Sequence, residues 1–316
     1  MKKDLRIVFM GTPEFAVAGL HNLVISGYAI VGVVTAPDKP AGRGRKIHES
    51  AVKKYAVEHN LNLLQPTNLK STSFVEELET LQPNLQIVVA FRMLPKVVWQ
   101  LPEFGTFNLH ASLLPQYRGA APINWALING EKTTGATTFF IDEKIDTGAI
   151  ILQNEMTINP EDHAGSLHDK LMDLGAKLIL ETVAHIENGT VTTYKQTDPA
   201  VIKAAPKIFK HDCKVDWSLP GNSIFNFVRG LSPYPTAWTT LRNGPKDITI
   251  KIFEVAFEQA RHQMDIGTVQ KSKVGVTIAV GDGFIRLLTV QFPGKRKMAI
   301  KELLNGLNLE EEARVL

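Results

Sequence analysis

A chain of 316 residues, 44% of them hydrophobic and 21% charged, has globular composition and room for one large domain or two unequal ones, which excludes a disordered scaffold. Its net charge of +3 is unevenly spread: 19 Lys+Arg stand against 21 Asp+Glu up to Ala204 and 16 against 11 beyond it, so a basic C-terminal module fits a polyanionic partner as readily as an ordinary basic surface. One cysteine, Cys213, and no leader-like N-terminus argue against secretion. Apolar runs such as Leu85 to Phe91 are far shorter than the roughly 20 residues a membrane span needs, so a cytosolic chain is expected.

Leu5 to Met10 is an apolar run ending at Gly11-Thr12-Pro13, and Glu14 to Ser26 then carries apolar residues at helical spacing, which predicts strand, turn and helix. Ala29 to Thr35 reads as a strand, Ser50 to His59 and Ser73 to Leu81 as helices, and Leu85 to Phe91 and Thr106 to His110 as further strands. Strands follow near Ala136 to Ile141 and Ala149 to Glu155, then a long helix from Ala164 to Asn188. This alternation implies a Rossmann-like α/β domain with a mostly parallel sheet covered on both faces, expected over residues 1–190. Residues 191–206 lose periodicity and read as a linker. Beyond them, short runs at Ala237 to Leu241, Ile248 to Phe257, Gly267 to Gln270, Val274 to Val280 and Phe284 to Val290, with one helix near Asn222 to Gly230, predict a small OB-like β-barrel over residues 207–316.

The first glycine turn does not make a dinucleotide site. Gly11-Thr12-Pro13-Glu14-Phe15 lacks the glycines that let a pyrophosphate approach the backbone, and Glu14 sets negative charge beside it.

The densest chemical signal lies between Phe107 and Thr147. In Asn108-Leu109-His110, period-two alternation puts Asn108 and His110 on one face of a strand end and turns Leu109 into the sheet. A loop from Ala111 to Pro122 follows, and then an acidic turn, Asp142-Glu143-Lys144-Ile145-Asp146-Thr147-Gly148. These groups suit acyl transfer to an amine. An Asn amide and a protonated imidazole can both hold a tetrahedral oxyanion, while a carboxylate beside the ring fixes its tautomer and relays the departing proton. Taken singly, each residue is more often a local cap or turn residue than a catalyst. Ser112 lacks the glycines of a nucleophile elbow, Cys213 falls in the other module, and His110 has no second ligand at metal-binding spacing, so neither a covalent nucleophile nor a metal is expected.

The stretch FNLHASLLPQYRGAAPINWALINGEKTTGATTFFIDEKIDTGAII resembles the signature of the folate-dependent formyltransferase family. Matching segments at IVFMGTPEFAVAGL, TAPDKPAGRGRK, DWS, SPYPTAW and GDGFIRLL extend the resemblance over nearly the whole chain, to the branch that formylates methionyl initiator tRNA. The resemblance implies an N-terminal domain that binds 10-formyltetrahydrofolate, catalytic roles for Asn108, His110 and Asp146, and folate contacts by Ser112, Leu113, Leu114 and Pro115. It also implies a place for Phe15 near the methionyl pocket, and a monomer is expected. Arg43, Arg45 and Lys46, interleaved with Gly42 and Gly44, form a basic loop suited to the phosphates of an acceptor stem. Lys295-Arg296-Lys297 would extend that contact along the barrel. The segment Ala90-Phe91-Arg92-Met93 departs from the family pattern, which has a small Gly after the aromatic, so Arg92 bears on how folate is held.

Two rivals remain at this stage. One is a formyltransferase for a small amine, either a glycinamide ribonucleotide or an amino-sugar nucleotide. The other is a nucleic-acid binding protein whose α/β domain is catalytically dead.

Overall fold

The computed structural model describes every residue except Met1, 42–45, 198, 305, 307 and 311, and every side chain of the rest except those of Pro40, Ala41 and Lys46. The chain forms two compact units. The first comprises Met1–Gly119, Thr133–Met156 and His168–Ala204, and the second Ala120–Lys132, Thr157–Leu167 and Ala205–Leu316.

In chain order the elements up to residue 188 are β1 (Arg6–Gly11), α1 (Glu14–Ile25), β2 (Ala29–Val34), β3 (Lys39–Ala41), β4 (Lys46–His48), α2 (Ala51–Glu58), β5 (Leu63–Leu64), α3 (Thr72–Thr80), β6 (Leu85–Val89), α4 (Lys96–Trp99), β7 (Thr106–His110), α5 (Pro122–Ile128), β8 (Thr133–Phe140), β9 (Ile150–Thr157) and α6 (Ala164–Asn188). The first unit is built on a sheet of order β5-β2-β1-β6-β7-β8-β9. Its pairs from β5 through β7 are parallel, and β8 runs antiparallel to β7. All five residues of β6 are buried, as expected of a strand covered on both faces. Alternation divides β1: Val8 and Met10 join a core with Phe74 and Leu78 of α3, whereas the Phe9 ring lies toward Gly19 of α1 on the other face. Strand order reverses between β1 and β6, so the carboxyl ends of β1, β6 and β7 border the crevice where such sheets bind ligands.

The second unit continues with α7 (Gly221–Leu231), β10 (Ala237–Asn243), β11 (Lys246–Gln259), β12 (Val269–Lys271), β13 (Val276–Val280), β14 (Gly283–Gln291), β15 (Met298–Ala299), α8 (Ile300–Leu303) and β16 (Arg314–Val315). Its sheet has the order β12-β13-β14-β11-β10-β16. The two ends of that order meet: the Val269 N–H donates to the Ala313 carbonyl at 3.0 Å and the Val315 N–H to the Gly267 carbonyl at 2.8 Å. The sheet therefore closes on itself around Ile250, Ile252, Val276, Ile278, Ile285 and Val290, which removes its free edges. Helix α5 packs on α7 in this unit, with the Asn124 amide donating to the Gly230 carbonyl at 2.7 Å. The buried Arg229 of α7 donates to the carbonyls of Asn159, Pro160 and Asp162, which ties residues 159–162 to the helix.

The α/β sheet followed by a small barrel agrees with the fold class predicted from sequence. The additional elements are short: β3 and β4 pair as a two-stranded ladder within the stretch predicted to be a basic loop, and β16 is only two residues long. Among the described residues no helix is long and apolar enough to cross a membrane.

Candidate active site

β7 runs beside β6, with Asn108 level with Val88, and beside β8, with Asn108 level with Phe139. Leu109 faces α6 so closely that a Cβ on Gly175 would lie 2.6 Å from its Cδ2, which is why that helical position has no side chain. Asn108 and His110 share the opposite face at the carboxyl end, the amide half-buried and the imidazole 6% exposed.

The His110 ring is oriented by backbone. Its Nε2 lies 2.8 Å from the Tyr117 carbonyl oxygen, which can only accept, so Nε2 carries the hydrogen. Nδ1 is then the ring nitrogen not committed to that carbonyl, and it faces Asp146 Oδ2 at 3.8 Å, too long for a hydrogen bond. The tautomer, expected from sequence to be set by Asp146, is set instead by Tyr117. Tyr117 has φ 62, and its N–H donates to the Lys203 carbonyl at 2.6 Å.

Asp146 sits in the left-handed region, φ 56, where a non-glycine residue needs support from its surroundings. Its Oδ2 accepts from the Gly119 N–H at 2.9 Å. Its carbonyl accepts from Arg118 Nε at 3.1 Å and from Gln196 Nε2 at 2.9 Å. Two residues on, a Cβ at Gly148 would fall 1.7 Å from the Phe140 carbonyl, so only glycine allows the turn to fold back on β8. The other acids of the turn are occupied elsewhere. Asp142 Oδ1 accepts from the Lys144 N–H and the Thr147 hydroxyl, and Glu143 pairs with Lys96 at 2.7 Å, which holds its carboxyl below the usual range.

The loop that follows His110 is pinned from β8 and β9. The Thr137 hydroxyl donates to the Ser112 carbonyl at 2.6 Å and accepts from the Leu114 N–H at 3.2 Å and Gln153 Nε2 at 2.9 Å. Ser112 is fully buried and donates to the Gln116 carbonyl, and Leu114 packs with Phe139 and Ile150. Of the four residues expected to touch folate, only Leu113 and Pro115 keep partly exposed side chains.

Phe15, in the first turn of α1, is 8% exposed and meets His168 edge-on at 5.2 Å. Arg43, Arg45 and the side chain of Lys46 lie outside the described residues. The base of their ladder is braced by Lys53, which pairs with Asp38 and with Glu49, and by Gln65 Nε2, which donates to Asp38 Oδ1 at 3.0 Å. Arg92 donates to the carbonyls of Pro66 and Thr67, and burial pushes its guanidinium down. Cys213 is buried, and burial pushes its thiol up, as befits a packing residue. Among the described residues no three His, Cys, Asp or Glu side chains converge on a metal position.

The structure thus brings His110 and Asp146 together at a strand end beside Asn108. Sequence reasoning missed the Tyr117 carbonyl, the Gly119 N–H, Thr137 and Gln196. Two of these are backbone groups with no residue signature, and Gln196 stands in a stretch without periodicity.

Residues 5–183 match the model of the formyl transferase family, and residues 207–308 match the model of the formyl transferase C-terminal domain. The chain belongs to the formyl transferase family. Among curated members, it is 57% identical over 313 residues to the methionyl-tRNA formyltransferase of Flavobacterium johnsoniae, covering 99% of both chains. It is 54% identical over 315 residues to the enzyme of that name from Bacteroides thetaiotaomicron, covering 98% of each. Among solved structures, an N-formyltransferase from Helicobacter canadensis in complex with folinic acid and dTDP-3-aminofucose shares the fold. There the TM-score is 0.64 and the identity 20%, over 90% of this chain and 98% of that one.

Proposed function

We propose that this chain transfers a formyl group from 10-formyltetrahydrofolate to the free α-amino group of methionyl initiator tRNA, giving N-formylmethionyl-tRNA for translation initiation in the cytoplasm. The observation that carries the reading is the convergence of His110 and Asp146 at the end of β7 beside Asn108, in a chain 57% identical throughout its length to a methionyl-tRNA formyltransferase.

The amine nitrogen attacks the formyl carbon, forming a C–N bond while the carbonyl oxygen becomes an oxyanion. The Asn108 amide and the protonated His110 ring donate to that oxyanion. Because Nε2–H is held by Tyr117, the ring donates through Nδ1–H. Asp146 faces the same nitrogen and takes the proton leaving the amine, directly or through a water. Collapse of the intermediate breaks the bond from the formyl carbon to N10, and tetrahydrofolate leaves with a proton on that nitrogen. Leu113 and Pro115 offer the partly exposed side chains of the folate loop, Ser112 and Leu114 hold its shape from the core, and Phe15 borders the methionyl side chain. Arg43, Arg45 and Lys46 contact the acceptor stem, as the basic excess of the C-terminal residues fits a polyanionic substrate. The enzyme works as a monomer.

Incubation with 10-formyltetrahydrofolate and charged initiator tRNA tests the reading. Formyl transfer to methionyl-tRNA is expected, with tRNA affinity falling as salt rises. Transfer only to glycinamide ribonucleotide or an amino-sugar nucleotide would overturn the choice of acceptor, and no transfer to any amine would leave a binding protein.

A further inference from the structure

The stretch from Tyr194 to Lys203, a linker by sequence, straps both halves of the candidate site. Tyr194 exchanges backbone hydrogen bonds with Ile150, at 2.9 and 3.1 Å, four residues beyond Asp146. At its other end the Lys203 carbonyl takes the N–H of Tyr117, whose own carbonyl orients His110. The Gln116 amide adds bonds to the Val201 carbonyl and from the Lys203 N–H. Lys195 and Thr197 on either side are exposed, and Gln196 is half-buried.

Its amide uses both functions. Nε2 donates to the carbonyls of Asp146 and Gly148, each at 2.9 Å. Oε1 accepts from Arg118 Nε at 3.1 Å and Nη2 at 2.8 Å, and that same Nε reaches the Asp146 carbonyl. One side chain therefore joins the residue before Gly119, whose N–H holds the Asp146 carboxylate, to the backbone of the left-handed residue that carries it. A left-handed aspartate persists only where its surroundings over-determine it. Without the Nε2 donors the turn loses two of the bonds that hold it, and relaxation to negative φ would swing the carboxylate away from Gly119 N–H and from His110 Nδ1.

We propose that Gln196 is a positioning residue for formyl transfer, acting through Asp146 by holding its turn in the left-handed conformation. The inference rests on the reading of Asp146 as the group that handles the proton.

Gln196→Glu is the decisive variant because it keeps the length and the acceptor for Arg118 while removing both N–H donors and facing two carbonyls with a carboxylate. Gln196→Met fills the same space without polar atoms and serves if the charge unfolds the chain. Either variant is expected to lower kcat about 10²-fold by misplacing a reacting group. KM for folate and for methionyl-tRNA should stay within about twofold, since only an interaction used in the transition state is lost. In an Asp146→Asn background the same substitution should cost nothing further, because both changes act through one group.

Three results overturn the proposal: wild-type kcat in Gln196→Glu or in Gln196→Met while Asp146→Asn is slowed, a loss confined to KM or to the melting temperature, or full additivity with Asp146→Asn. Full activity in Asp146→Asn itself instead overturns the underlying reading of Asp146.

Discussion

Different forces dominate inside each of the two units. Around His110, position is set by hydrogen bonds that link Tyr117, Gly119, Thr137, Gln153, Gln196 and Lys203, drawn from stretches far apart in sequence. The barrel is held by an apolar interior that includes Ile252, Ile278, Ile285 and Val290, none of them exposed, and by pairing of its last strand with the rest. Hydrogen bonds are directional and burial is not. The first can place an imidazole and a carboxylate to within a fraction of an ångström, whereas the second tolerates small changes of shape so long as the interior stays full.

The largest expected effect breaks the chemistry of the first unit without touching its framework. Asn108→Ala removes one donor to the oxyanion and should lower the rate of formyl transfer about 10²–10³-fold, or about 2.7–4 kcal/mol of barrier. Single-turnover kinetics at saturating folate measure it, and a loss below tenfold contradicts the role. Thr137→Val attacks the framework instead. It leaves the buried Leu114 N–H without its partner and takes one of two acceptors from the part-buried Gln153 amide, so stability should fall by about 1–3 kcal/mol. The urea midpoint reports this, with the m-value unchanged. A loss of the loop's order at little cost in stability would show that the bonds are local ornaments.

The barrel supplies the contrast. Ile278→Val deletes one methylene from a wholly buried position and should cost about 0.5–1.5 kcal/mol in stability, while kcat of the folded enzyme is unchanged. A drop in kcat would mean that the barrel interior transmits to the chemistry.

The difference between the units also explains what was legible in the sequence. Buried strands such as Leu85–Val89, and barrel strands such as Ala237–Asn243 with its alternating burial, announce themselves because periodicity is a local property. The same alternation placed Asn108 and His110 on one face. What could not be read is whatever depends on backbone groups or on contacts between distant segments. The Tyr117 carbonyl that sets the His110 tautomer carries no residue signature, and Gln196 lies 50 positions from the carbonyl it holds. The pairing of Lys39–Ala41 with Lys46–His48 was hidden because three-residue strands containing proline and lysine show no period. The closing strand Arg314–Val315 is likewise too short to stand out. Local pattern thus specified the layers, and long-range hydrogen bonds specified the site.

The smallest expected effect concerns the brace beneath the basic ladder. The hydrogen bond from Lys53 holds the Asp38 carboxyl below its ordinary value of 3.8, with a second contribution from Gln65. A carboxyl whose pKa is lower in the folded than in the unfolded chain adds stability that is fully present above the unfolded value and is lost as pH falls through the folded one. Thermal unfolding followed from neutral pH down through 3.8 should therefore show the wild type losing an increment that Asp38→Asn never had, so the two melting curves converge on the acid side and differ above it. Because the pair lies at the surface, added salt should narrow the difference at neutral pH as well. Curves that stay parallel across the acid range would show that Lys53 is held by Glu49 alone, and the ladder would then be braced from one side only.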